Sequence, residues 1–176
     1  MKDKLLTSFI IIRGNSGSGK TTLASALRSR LLNVLIISQD VVRREMLGIK
    51  DTPGNLAIDL IEAIAKFGSG TVPFVIIEGI MVRDRYLYNL MEIQKICKGV
   101  YIPVYLNISL SETIKRHKSR AKRTEFSEDE LVKWRVENDT LGIPNEIVFT
   151  DSHSLSDMIE VICMALNANV TPDDNL

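Results

Sequence analysis

Charge of one sign is missing from this 176-residue sequence: 22 Lys and Arg balance 22 Asp and Glu, so no global field draws the chain to nucleic acid or a membrane surface. Any anion site must be local. Long apolar runs are missing too, since none approaches the roughly 20 residues that cross a bilayer. Cysteine is scarce. Cys97 and Cys163 lie far apart, each inside an apolar helical pattern, which excludes a disulfide framework or a metal knuckle and fits reduced thiols in the cytoplasm. His117 and His153, the two histidines, share no metal spacing. The opening "MKDKLLTSFIII" lacks the small-residue cleavage site of a secretory signal and reads as the first strand.

What is present suits a single domain over 1–176 with one core, 45% hydrophobic and 25% charged. Runs at 9–12, 34–37, 74–77, 104–108 and, more weakly, 146–149 are rich in β-branched residues and continuous, the pattern of strands covered on both faces. Helical periodicity separates them: Leu23, Leu27 and Leu31, then Leu56 to Phe67, then Tyr86 to Cys97, and finally Leu155 to Leu166. Ser109 with Glu112, Ser127 with Glu130 and Ser154 with Asp157 have capping-box spacing, and Gly68 and Gly99 stand where helices should stop. Such alternation predicts an α/β fold, parallel strands joined by right-handed crossovers with helices on both faces. Pro103 is expected to stay outside the fourth strand, which would then begin at Val104, and residues 167–176 read as a polar tail.

Between the first strand and the first helix stands "GNSGSGKT", with Gly14, four residues, Gly19, Lys20 and Thr21: the P-loop spacing in the strand, loop and helix context that it requires. Backbone N–H groups over Gly14, Asn15, Ser16, Gly17, Ser18 and Gly19, continuing through Thr22, are expected to cradle phosphates. Lys20 would reach the β and γ phosphates and the Thr21 hydroxyl would ligate Mg²⁺. A dinucleotide fold needs G-x-G-x-x-G, whereas the glycines here run G-x-x-G-x-G. No N-K-x-D string for reading guanine occurs, and no transporter signature, which leaves phosphotransfer to a small molecule.

Asp40 closes the second strand, at the sheet edge where ligands sit in open α/β folds, and Arg43 follows it. The carboxylate there would orient an acceptor hydroxyl and take its proton, with Arg43 on an anionic part of the acceptor; alternatively Asp40 caps the helix and Arg43 or Arg44 is solvated. Glu78 closes the third strand as a Walker B acid would, serving Mg²⁺ or the acceptor, or else capping the turn at Gly79. An insertion at about 115–142 carries Arg116, Arg120 and Arg123 at i, i+4 and i+7, one helical face that a lid could close over a triphosphate; the alternative is a solvated basic face.

This combination resembles the P-loop kinases of the nucleoside-monophosphate-kinase-like group, most closely the branch of polynucleotide kinase, zeta toxin and chloramphenicol phosphotransferase. The resemblance spans roughly residues 8–166. It implies a three-layer sandwich around a five-stranded parallel sheet in the order 2-3-1-4-5 with a helical lid, and ATP and Mg²⁺ as donor and metal. Asp40 becomes the base, Arg43 the residue near the acceptor, and Arg120 or Arg123 the lid arginine. The loop "TDSHS" after the last strand would border the adenine. Glu78 departs from the aspartate of polynucleotide kinases. The implied activity is transfer of a γ-phosphate to a hydroxyl of a small-molecule acceptor such as a nucleoside, a sugar nucleotide or an antibiotic. A polynucleotide 5′-hydroxyl kinase and a non-catalytic ATP-dependent switch are the rival readings. Neutral charge and few aromatics in the lid speak against the strand-binding form.

Overall fold

The computed structural model describes residues 5–118 and 128–168. Strands β1 (Ser8–Gly14), β2 (Val34–Ser38), β3 (Phe74–Gly79), β4 (Tyr101–Leu106) and β5 (Ile147–Phe149) alternate with helices α1 (Lys20–Arg30), α2 (Leu56–Gly68), α3 (Arg83–Ile96), α4 (Leu110–Lys118), α5 (Glu128–Trp134) and α6 (Leu155–Asn167). All strand pairs are parallel and the order is β2-β3-β1-β4-β5, as the resemblance implies.

Period-two geometry splits the central strand between two cores. Phe9 and Ile11 face α2 and α3 through Ile61, Ala65, Leu90 and Ile93, while Ile10 and Ile12 face α1 and α6 through Leu23, Leu27, Met158 and Ile162. All four β1 side chains are fully buried, each burial stabilising by about 1.5 to 3 kcal/mol. A strand covered on both sides has no polar face, which is why β1 reads as a continuous apolar run. α6 starts at a complete capping box between Ser154 and Asp157. At α4, the Glu112 N–H donates to Ser109 Oγ at 3.2 Å. Ser127, the capping member of its pair with Glu130, lies outside the described residues.

Pro103 overturns one expectation by lying inside β4, opposite Ile11 of β1. Phe9 N donates to the Val100 carbonyl and Asn107 N to the Phe149 carbonyl, both at 2.8 Å. Strand alternation between these two bonds turns the Pro103 nitrogen toward β5. That strand begins its pairing only at Val104, so the missing donor costs no ladder bond.

After β2 the chain forms a π-helical turn over Val41–Met46, a rare geometry that recurs at functional sites.

Candidate active site

β1 delivers the chain to Gly14 and α1 takes it up at Lys20, with Gly19 as N-cap at φ 104. Gly19 offers no side-chain cap, so the first-turn N–H groups of this 11-residue helix stay available to an anion. The loop tolerates no side chain at two points. A Cβ at Gly14 would stand 2.8 Å from both the Leu106 carbonyl oxygen and Ser18 Oγ, and one at Gly17, where φ is +78, 2.7 Å from Thr113 Cγ2. Ser18 Oγ is buried and lacks a hydrogen-bond partner among the described residues. A buried hydroxyl without a partner, facing a glycine-built concavity at a helix N-terminus, fits the phosphate oxygens of a nucleotide. Lys20 is buried and folds back over the loop, its Nζ donating to the Asn15 carbonyl at 2.8 Å.

Thr21 Oγ1 donates to Glu78 Oε2 at 3.3 Å, joining the P-loop helix to the end of β3. Glu78 is 4% exposed, anchored by the fully buried Ile76 and Ile77 before it. The described residues contain no group of three or more His, Cys, Asp or Glu able to cage a metal. One hydroxyl and one carboxylate are the sparse oxygen set that suits Mg²⁺, an ion that keeps waters and shares ligands with phosphates.

A cleft of about 660 Å³ adjoins the cradle, walled by Gln39, Asp40, Arg43, Asp51, Arg85 and Trp134 among others. Ser38 pairs with Glu78 across β2 and β3, so Asp40 stands two residues beyond the neighbour of Glu78. Its carboxylate makes no cap bond to the π-helical turn. Instead it accepts from Arg43 Nη2 at 2.8 Å and lies 3.4 Å from Arg44 Nε. Gln39 donates to Tyr86 Oη at 2.7 Å and Tyr86 Oη donates to Asp51 at 3.0 Å, fixing the cleft floor. Burial first, and then the Asp51 carboxylate, push the Tyr86 hydroxyl up to about 12.

On the opposite side of the P-loop, Arg116 donates to the Ser18 carbonyl at 3.0 Å and to Glu112 Oε1 at 2.9 Å. The Arg116 contact draws the Glu112 carboxyl below its ordinary range. Arg116, Thr22, Ser154 and His153 line a second cleft, of about 250 Å³. His153, to which sequence reasoning gave no role, accepts from Thr150 N through Nδ1 at 3.1 Å and sets its ring edge-on to Phe149. The loop expected to border the adenine thus lies beside the cradle. Arg120 and Arg123 fall outside the described residues.

Two side chains carry connections that the sequence did not announce. Arg13, fully buried, donates to the Met81 carbonyl at 2.8 Å, to Asp139 at 2.6 Å and to Glu146 at 3.4 Å, and stacks over Tyr105. The Asn15 carboxamide donates to the Val136 carbonyl at 2.9 Å and accepts from Val136 N at 3.0 Å. Together they fasten the segment that returns from the insertion to the P-loop strand. No local pattern marks such pairs, whose partners lie 121 to 133 residues away.

A glycine-built cradle on a 2-3-1-4-5 parallel sheet, with a hydroxyl and a carboxylate beside it and a cleft across from it, defines a P-loop kinase fold. Residues 10–133 match the family described as AAA domain, and the chain belongs to that family. A protein of Methanococcus aeolicus described as a probable thymidylate kinase is 26% identical, over 82% of this chain and 83% of its own length. The Mycobacterium tuberculosis APS kinase CysC, solved with AMPPNP and APS, superposes with a TM-score of 0.70 at 12% identity, covering 93% of this chain and 99% of that one. A gluconokinase from Sinorhizobium meliloti gives 0.65 at 15% identity, covering 94% of each chain. At these identities the solved structures share the fold alone. No helix among the described residues is long and apolar enough to cross a membrane.

Proposed function

We propose that the protein is an ATP-dependent kinase that transfers a γ-phosphate to a hydroxyl of a small-molecule acceptor. The observation that carries this reading is the juxtaposition of the P-loop cradle, closed by the Thr21 to Glu78 contact of 3.3 Å, with the cleft that holds Asp40 at the same sheet edge. The names borne by its relatives, among them thymidylate kinase, APS kinase and gluconokinase, support phosphotransfer and differ in acceptor.

Thr21 and Glu78 would hold Mg²⁺, which supplies charge neutralisation on the phosphates when bound. N–H groups from Gly14 to Thr22, with the Ser18 hydroxyl, bind the phosphate chain, and Lys20 exchanges the Asn15 carbonyl for a phosphate oxygen. Arg116 and His153 flank the nucleoside. Asp40, oriented by Arg43 and Arg44, receives the acceptor proton as the hydroxyl oxygen bonds to the γ-phosphorus. The bond from that phosphorus to the β-phosphate oxygen breaks, and ADP leaves. Arg120 or Arg123 is the proposed lid cation.

Incubation with γ-labelled ATP and a metabolite library tests the proposal. A labelled phosphate ester is expected, and Asp40→Asn should lower its formation by about 10²-fold or more. Equal labelling by the variant removes the base, and tight ATP binding with no product from any acceptor would favour a nucleotide-dependent switch.

A further inference from the structure

Resting on the kinase reading above, we infer that Gln39 is a positioning residue: its side chain clamps the exit of β2 to the exit of β3 and so sets Asp40 in register with Glu78. A carboxamide only 3% exposed, one residue before the proposed base, needs a reason to be buried. Its partners supply one. Gln39 Oε1 accepts from Met81 N at 3.2 Å and Nε2 donates to Tyr86 Oη at 2.7 Å, so each end of the group is engaged. The orientation is forced, because a backbone N–H can only donate and must face the carboxamide oxygen.

The clamp closes on a tight contact. Gly79 lies so near Gln39 that an added Cβ would stand 2.5 Å from Gln39 Cβ, a collision that only glycine avoids. Gln39 and Gly79 therefore touch, and each adjoins one of the two carboxylates, Asp40 on one strand exit and Glu78 on the other. The Met81 peptide is gripped on both sides, its N–H by Gln39 and its carbonyl by Arg13 Nε at 2.8 Å. That double hold has a purpose. Met81 is fully buried with a φ of 40, a left-handed conformation that a residue other than glycine keeps only where its surroundings impose it. Released from Gln39, the turn can relax and carry the end of β3 with it. A displacement of about 1 Å between the acid that would hold Mg²⁺ and the base can cost about 10²-fold in rate. The arm toward Tyr86 acts elsewhere, since Tyr86 passes its own hydrogen to Asp51 on the cleft wall.

The test is amide exchange and turnover in the full chain, comparing Gln39→Met with Tyr86→Phe. Both variants lose the bond of 2.7 Å, but only the first frees Met81 N. In the nucleotide-free protein the Met81 amide of Gln39→Met should exchange about tenfold faster, while in Tyr86→Phe it should keep its wild-type rate. Turnover is then read with γ-labelled ATP, Mg²⁺ and either the metabolite library or water alone as acceptor. Gln39→Met should lose about tenfold to a hundredfold in kcat while its affinity for Mg²⁺ with AMPPNP stays within about twofold. Tyr86→Phe should stay within about threefold of the wild-type kcat. Should Gln39→Met fail to fold, Gln39→Asn, too short to reach Met81, should give the same pattern. Unchanged Met81 exchange in the Gln39 variants, an unchanged kcat, a loss that falls on MgATP affinity, or equal kcat losses in the Gln39 and Tyr86 variants would each overturn the inference. Failure of the kinase reading looks different and takes the positioning role with it: Met81 exchange responds to Gln39 as expected, but the wild type transfers no label to any acceptor or to water.

Discussion

Removing the Asn15 carboxamide should loosen the acceptor side of the molecule and spare the ATP side. Asn15→Ala deletes two hydrogen bonds, of 2.9 and 3.0 Å, to the backbone of Val136, from a residue only 6% exposed. Each bond contributes about 1 kcal/mol net, so the variant should lose about 2 kcal/mol. For a chain of this size that corresponds to a fall in melting temperature of about 4 to 8 °C, read by calorimetry. Asn15→Asp keeps an acceptor for Val136 N but sets a carboxylate against the Val136 carbonyl, and should cost at least as much. Val136 also lines the cleft proposed for the acceptor, next to Lys133 and Trp134. The kinetic signature should therefore be a raised KM for the acceptor with MgATP affinity held within about twofold, because the cradle's N–H groups remain. A melting point unchanged in both variants, or a loss concentrated in MgATP affinity, would refute the idea that this side chain works by tying the two segments together.

Gly17→Ala must accommodate a Cβ 2.7 Å from Thr113 Cγ2 at a φ of +78, so MgATP affinity should drop by about tenfold or more in equilibrium binding; wild-type affinity would show that the loop has room to spare. Tyr86 provides a pH test. Its folded pKa of about 12 exceeds the ordinary value of 10, so its contribution to stability is complete below pH 10 and is lost as the pH rises through 12. Denaturation midpoints should decline over that window. The decline should be shallower in Tyr86→Phe, with an identical slope assigning the effect to other groups, such as Tyr101 and Tyr105, which burial also raises.

Much of the fold is legible from the continuous runs at 9–12, 34–37 and 74–77, because a strand sealed by helices on both faces must be apolar at every position. The P-loop was legible because its chemistry is local: eight consecutive residues make the strand end, the cradle and the helix start. Asp40 and Glu78 were found by their place at strand ends, which topology carries to one edge. The ties made by the Arg13 and Asn15 side chains were not legible, since a lone arginine after "FIII" and the carboxamide of a residue otherwise assigned to the cradle acquire that meaning only from Val136, Asp139 and Glu146, brought back by the return from the insertion. Pro103 misled for the same reason: whether a proline harms a strand depends on which neighbour its nitrogen faces.

Because Pro103 cannot donate toward its outer neighbour, the last strand cannot lengthen backward along it and is held to three residues, Ile147 to Phe149. The β5 edge of the sheet thus presents too short a row of unsatisfied amides to capture a strand from another molecule. The proline, neutral toward the fold of a single chain, thereby helps to keep separate copies from zipping together at high concentration.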